Sequence, residues 1–308
     1  MTPTLADIGE DGMLKRFAAF LPAGGSLRVG PGDDCAVVRV EDTAHDLLLK
    51  TDCVVEGVHF EPSTPPEKVG RKALARALSD IAAMGGQADH ALVTLVLPAA
   101  TAVAWVDAFY AGLDALATTT GTRVAGGELA RMPAGGPAVA SIALAGRVPA
   151  GRAVLRSGGR AGDVLAVTGW LGGSLASGHH LDFEPRLAQG QLLAHTGLVH
   201  AMMDLSDGLA RDLPRLARRS GCGFTVDEPA LPCRAGFTTA NALGDGEDYE
   251  LLLAVAPGDW DRLAAAWRVA FPALPLVRIG RLTAVGAGHA LPPSGWDHFA
   301  GAQASQRP

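Results

Sequence analysis

Six acidic residues of this chain sit where acids are seldom grouped. Asp34, Asp52, Asp80, Glu128, Asp204 and Asp207 fall in the short strings GDD, KTD, LSD, GGE and DLSDG. Each string reads as the end of a strand or helix, most of them beside glycine or a small polar residue. Taken singly, an Asp in such a place is a turn or cap residue, because its short side chain bonds nearby amides. Asp207 is the best cap candidate, with Ser206 competing. Taken together, carboxylates at element ends can converge on one cleft. No His or Cys accompanies them, and oxygen-only donors select hard cations such as Mg²⁺. Several carboxylates around Mg²⁺ imply a phosphate-bearing substrate.

The elements that must carry these acids can be read from periodicity. Residues 63–86 predict a helix, started by Thr64, Pro65, Pro66 and Glu67 and stopped by Gly85 and Gly86. Its apolar stripe runs through Val69, Ala73, Leu74, Leu78 and Ile81. Asp80 lies near its C-terminal end, where a carboxylate opposes the helix dipole and calls for a compensating cation. Residues 11–21 predict another helix, with Met13, Leu14, Phe17 and Leu21 on one face. Strands are predicted at 46–52, 90–98 and 138–148, and at 122–131 a strand running into a glycine turn, with a helix over 101–119. Further strands are predicted at 163–169, 224–227, 248–257 and 276–282, with helices over 206–221 and 259–270. The Gly- and Arg-rich stretch 149–163 reads as a crossing between two halves. The fold class is therefore α/β, as two mixed α/β domains over residues 1–148 and 149–308.

Composition narrows the function. The chain has 26 Lys and Arg against 32 Asp and Glu, a formal net charge of −6, and no long basic run. Nucleic-acid binding is disfavoured. Arg211, Arg215, Arg218 and Arg219 have helical spacing and read as a solvated face. Cys35, Cys53, Cys222 and Cys233 lack C-x-x-C spacing, which argues against zinc or a disulfide framework. Reduced thiols and an N-terminus without an apolar signal core point to a cytoplasmic protein. The longest apolar stretch, 91–106, is broken by Pro98 and predicts no membrane span. No Walker-type or dinucleotide glycine loop is present.

The ordered strings IGEDGMLKRF, GPGDDCAVV, TDCVVEGVHF, KALARALSDIAAMGG, MDLSDGLARDL and GDGEDYELLL resemble the bacterial thiamine-monophosphate kinase family, within the aminoimidazole ribonucleotide synthetase superfamily. The resemblance runs from about residue 7 to the WDHF string at 296–299. It implies transfer of the γ-phosphoryl group of ATP to thiamine monophosphate, giving thiamine diphosphate. It also implies a homodimer joined through the N-terminal sheet, and a Mg²⁺-rich cleft between the two domains. Carried over by position, it implies metal ligation by Asp34, Thr51, Asp52, Asp80, Glu128, Asp204 and Asp207. ATP contacts are implied for Gly126, Gly127, Arg156 and Ser206. Thiamine phosphate contacts are implied for His59, Glu247 and Trp296, and no covalent nucleophile is implied. His59 by itself reads as a packed or solvent-facing strand-end histidine, and Arg156 as a surface arginine.

This chain departs from the family at GGELAR, where the family has GGDTTR, and at GDGEDYEL, where Asp245 replaces a glycine. The connection between LASG and EPRLAQG is also shortened. Glu128 keeps a carboxylate but moves it by one methylene, and Mg²⁺ is strict about geometry. Two other readings therefore stand beside the kinase. One is a divergent paralogue that binds thiamine phosphate or nucleotide without turnover. The other is a different ATP-using enzyme of the superfamily. Asp33 is left either to hold its turn or to bind through water.

Overall fold

Alternation along one long strand organises the first half. In His45–Val55 (β3), Asp46, Leu48 and Val54 are buried, whereas Leu49, Thr51 and Cys53 are exposed. One face of the sheet is thus core and the other is open. The computed structural model describes residues 4–17, 20–21, 24–297 and 299. Its first sheet has the order β1-β2-β3-β6-β4-β5, with β1 Leu27–Val29, β2 Ala36–Arg39, β4 Gln87–Pro98, β5 Arg123–Met132 and β6 Val139–Pro149. All its pairings are antiparallel except β4 with β5.

The inner face is covered by Pro66–Ala83 (α2) and Val103–Thr120 (α3). The predicted stripe of α2 is buried at every position, from Val69 to Ile81. Pro66 opens the helix and Gly85, at φ 70°, follows it in the left-handed region. The two helices touch through backbone. A Cβ on Gly70 would stand 1.9 Å from the Phe109 carbonyl oxygen, and one on Gly112 1.8 Å from that of Glu67.

The second half holds a sheet ordered β8-β10-β7-β11-β9. Its strands are β7 Val164–Thr168, β8 Val199–Asp204, β9 Gly223–Val226, β10 Leu251–Val255 and β11 Leu276–Thr283. Every residue of β7 and β10 is buried, because both faces of this sheet carry a core. Leu209–Arg219 (α6) and Thr239–Gly244 (α7) supply one core, and Leu187–Thr196 (α5) and Trp260–Ala270 (α8) the other. The short helix His179–Asp182 (α4) precedes α5. Mixed α/β architecture in both halves agrees with the sequence reading.

Several local expectations change. The first helix (α1) is Leu5–Phe17, kinked at Gly9, and Leu14, Phe17 and Leu21 are about half exposed rather than packed. Gly126 and Gly127 lie inside β5, not in a turn. A Cβ on Gly127 would stand 1.8 Å from the Val93 carbonyl oxygen, so the strand needs glycine for close approach, not for reversal. The strand expected at 248–257 is only Leu251–Val255. Before it, Glu247 and Tyr249 have φ of 55° and 51°, which breaks the ladder. The strands β1, β2 and β8 and the helices α4, α5 and α7 had no counterpart in the periodicity. Among the described residues no helix is long and apolar enough to cross a membrane, and all four cysteines are free.

The α2–α3 contact yields a stability test. Gly112→Ala should destabilise the fold by about 2 kcal/mol or more, because backbone cannot yield as a side-chain tip can. Gly258→Ala, where a Cβ meets nothing within 4 Å, should shift the urea midpoint little. Equal midpoints for the two variants would refute the contact.

Candidate active site

Three of the sequence-predicted acids meet. Asp34 ends the turn before β2, Asp80 lies in the last turn of α2, and Asp204 ends β8. All are buried, and each offers a carboxylate oxygen within 4.8 Å of those of the other two. The trio spans the halves, two acids from the first and one from the second. Burial, then Asp34, pushes Asp204 up to about 6. Burial likewise raises Asp80 well above the usual carboxylate range, although Lys50 opposes it. Lys50 Nζ lies 2.8 Å from Asp80 Oδ1, the cation that the helix end required. Ser79 Oγ donates to Asp204 Oδ2 at 2.6 Å, and Arg156 Nη2 donates to Asp34 Oδ1 at 2.5 Å. Asp34 Oδ2 is buried and has no hydrogen-bond partner among the described residues. An orphaned carboxylate oxygen among crowded acids, all donors being oxygen, fits a hard divalent cation.

The other acids do not join this trio in the chain itself. Asp52 faces inward beside Arg76, 3.2 Å away. Burial opposes its charge, but Arg76 and Lys50 outweigh that and hold its carboxyl below the usual range. Asp207 pairs with Arg215 at 2.5 Å and caps no helix. Gly208 precedes α6, and Asp212 accepts from the amides of Ser206 and Asp207 at 3.0 Å each. Thr51 lies on the open face of β3. Glu128 lies on the same open face, in the register row Cys53–Ser141–Thr94–Glu128. That row places it three strand spacings, about 14 Å, from β3. It is exposed at the sheet edge.

The residues expected at thiamine phosphate are linked by a lysine that sequence reading missed. Lys72 of α2 is fully buried. Its ammonium donates to the His59 carbonyl at 2.7 Å, Glu247 Oε1 at 2.8 Å and His180 Nδ1 at 2.8 Å. Burial opposes the Glu247 charge, but Lys72 above all, with Arg76, outweighs it and holds the carboxyl far below its ordinary value. His59 Nδ1 accepts from the Val55 amide at 3.1 Å, which leaves Nε2 to carry the ring proton. The backbone N–H of Glu247 donates to the Ser206 carbonyl at 2.7 Å, so the GEDYE loop is tied to the DLSDG loop. The Trp296 amide donates to the Asp207 carbonyl at 2.9 Å, which brings the C-terminal segment to the same loop. His298 of the WDHF string lies outside the described residues.

Two cavities hold other sequence-predicted nucleotide groups. One, of about 440 Å³, is lined by Lys15, Gly32, Arg156, Arg215, Arg218 and Arg219. The arginines of α6 therefore are not simply a solvated face, since three of them, Arg215, Arg218 and Arg219, line this cavity and Arg215 is tied to Asp207 and Asp212. The other, of about 580 Å³, lies along β5 between Gly126, Gly127, Glu128 and Tyr110 of α3. Arg156 and Ser206 stand near the trio, whereas Gly126 and Gly127 stand at this edge.

The Lys72–Glu247 pair gives a second test. Lys72→Met strands a buried carboxylate and should cost about 3 kcal/mol or more in urea unfolding, most of it recovered in Lys72→Met with Glu247→Gln. Glu247 is depressed, so its ionisation favours the folded state above about pH 4.5, its ordinary value, and that contribution is lost on acidification. The double variant should lack this part of the acid sensitivity. Additive losses in the two single variants would show that the pair is uncoupled.

Comparison with known proteins agrees with this geometry. Residues 32–148 match the family described as AIR synthase related protein, N-terminal domain, and residues 160–290 match its C-terminal domain. The thiamine-monophosphate kinase of Salmonella typhimurium is 34% identical over 89% of this chain and 93% of its own length. That of Rhodopirellula baltica is 37% identical over 83% of this chain and 84% of its own. The solved complex of AaThiL with AMPPCP and TMP superposes with a TM-score of 0.85 at 30% identity, covering 97% of this chain and all of that one. The thiamine-monophosphate kinase of Stenotrophomonas maltophilia superposes with a TM-score of 0.72 at 31% identity, over 89% of this chain and 94% of that one. With buried acids from both halves and likeness along nearly the whole chain, this protein belongs to the thiamine-monophosphate kinase family.

Proposed function

We infer that this chain transfers the γ-phosphoryl group of ATP to thiamine monophosphate, giving thiamine diphosphate and ADP. The observation that carries this reading is the buried trio Asp34, Asp80 and Asp204, drawn from both halves of the chain. Asp34, Asp80 and Asp204 would hold Mg²⁺, which would supply charge shielding between two phosphate-bearing substrates and on the transferred group. Asp52 and Asp207 lie in the same neighbourhood as candidates for further Mg²⁺.

The acceptor is a phosphate monoester, whose second ionisation lies near pH 6. Its attacking oxygen is already charged at neutral pH, so no protein base is needed. Transfer is then direct and in line, without a phosphoenzyme. Lys72 holds Glu247 ionised, which suits the cationic ring of thiamine, and Trp296 offers an aromatic face to the same ring. His59 presents an N–H toward the acceptor phosphate. The arginine-lined cavity steers anions toward the cleft. Tyr110, beside Gly126 and Gly127, suits the base of the nucleotide.

One chain leaves its nucleotide groups divided between the trio and the β5 edge. A homodimer through the open face of the first sheet supplies the remedy. That face exposes Leu49 at 42% and Leu92 at 49%, together with Thr51 and Cys53. In such a dimer the Gly126–Glu128 edge of one subunit completes the site of the other.

Purified protein with ATP, Mg²⁺ and thiamine monophosphate should yield thiamine diphosphate and ADP. Binding of thiamine monophosphate without product would favour the non-catalytic paralogue, a reading the GGELAR departure supports. Inversion at a chiral γ-phosphorus is expected, and net retention would defeat direct transfer. Glu128→Asp should keep activity, while Glu128→Ala should sharply weaken its Mg²⁺ dependence. Glu128→Ala and Asp204→Asn, each weak alone, should regain activity when unfolded and refolded together. No regain would show that Glu128 does not act across a dimer.

A further inference from the structure

A separate cavity lies where the first sheet ends. Its volume is about 530 Å³, and it opens where β3 and β4 begin and β6 finishes. His45, Arg147 and Arg152 line it from the first half and the crossing, and Gln191, Leu192 and His195 from α5. None of these residues belongs to the acid trio or to the groups around Lys72.

The charges facing this cavity are unequal in their commitments. Arg147 is already engaged, 2.5 Å from Asp89 and 3.2 Å from the Gln87 side-chain oxygen. Arg152 lies close to Gly197, just past the end of α5, and its guanidinium makes no hydrogen bond or ion pair among the described residues. The rings of His45 and His195 likewise have no polar partner there. Gln191 donates to the Gly86 carbonyl at 2.9 Å, which fixes the amide and leaves its oxygen as an acceptor. The lining thus holds three donor-bearing side chains from different elements, Arg152, His45 and His195, together with the apolar Leu192, Val148 and Pro149.

This combination selects a ligand class. Three donor groups not engaged elsewhere can serve the three oxygens of a phosphate, where a carboxylate offers two. The apolar wall and the volume suit an attached organic body, as in small-molecule sites generally. We propose that this cavity is a second ligand site, taking a small organic phosphate with Arg152, His45 and His195 on the phosphate and Leu192 on the body. The occupant touches both halves of the chain. It also lies just past the end of α2, because Gly85, two residues after Ala83, lines the cavity. The α5 side is held firmly against α2, since a Cβ on Gly190 would stand 2.0 Å from the Ala82 carbonyl oxygen.

The test uses the full chain without Mg²⁺ or ATP, and phenyl phosphate as the probe. Titration should shift the imidazole resonances of His45 and His195 saturably, with phenol inert and inorganic phosphate weaker. Arg152→Ala should weaken phenyl phosphate about tenfold, the loss of one charge-assisted contact. It should leave the urea midpoint and the phosphorylation of thiamine monophosphate unchanged. Asp204→Asn should leave the titration as it was. The proposal is overturned if neither ring responds, if Arg152→Ala binds as tightly, or if Asp204→Asn abolishes the response. Equal binding of inorganic phosphate would overturn the organic part of it. These outcomes are read by binding alone, so they are distinct from any failure of the kinase assay.

Discussion

Charge buried along one helix is the constraint on which the site depends. Lys72, Arg76, Ser79 and Asp80 lie at helical spacing on α2, which is otherwise apolar or small along its buried length. Polar groups removed from water need partners, and an unpaired charge costs several kcal/mol. Each group on α2 therefore dictates a neighbour. Lys72 requires Glu247, Arg76 requires Asp52 and the Cys53 carbonyl, Ser79 donates to Asp204, and Asp80 requires Lys50. Three of these partners, Lys50, Asp52 and Cys53, come from β3 and two, Asp204 and Glu247, from the second half. Satisfying one helix thus aligns the sheet and docks the halves.

The same logic explains what is left unsatisfied. Asp34, Asp80 and Asp204 are crowded beyond the supply of protein cations. Lys50 and Arg156 serve Asp80 and Asp34, and Asp204 has a hydroxyl from Ser79. Burial raises Asp80 and Asp204, so in the absence of a cation the site tends to hold protons. A divalent ion displaces that tendency, and affinity for it should weaken on acidification for the same reason. The strain of the loops around the cleft belongs to this account. Glu247 and Tyr249 adopt left-handed backbone at a cost of about 1–3 kcal/mol each. What returns it is the Lys72 pair and the stack of Tyr249 on Phe183, with ring centroids 4.0 Å apart.

Much of this was legible in the sequence. The stripe of α2 followed from period 3.6, and Asp80 at its end announced the need for a cation before Lys50 was seen. The acid strings named all three members of the trio. Lys72 was missed because a lysine in a helix is read as solvated. The signal was there, since 72, 76 and 80 interrupt an alanine-rich helix on one face. Glu128 was grouped with the trio because spacing along a chain says nothing of which face of a sheet a residue takes. Only the register row through Ser141 and Thr94 shows it turned outward. The glycines beside it looked like a turn because glycine serves turns and close backbone contacts alike. The short strands β2 and β8 escaped because four to six residues carry too little periodicity.

The paired acids at 33 and 34 show how adjacent charges can be kept apart in role. Both are held by Arg156, through different atoms. Its backbone N–H donates to the Asp33 carboxylate at 3.1 Å, while its guanidinium donates to Asp34. Asp33 also accepts from the Asp34 amide at 3.3 Å, which closes the turn on itself. Burial, then the Asp34 charge, pushes Asp33 up to about 6, so the mutual repulsion falls on the residue that fastens the turn. Asp34 is then left with one oxygen on Arg156 and one uncommitted oxygen among the buried acids. A single acid at this turn could not both anchor the crossing and present an oxygen to a cation. Two adjacent acids divide those tasks, and Arg156 is what makes their adjacency tolerable.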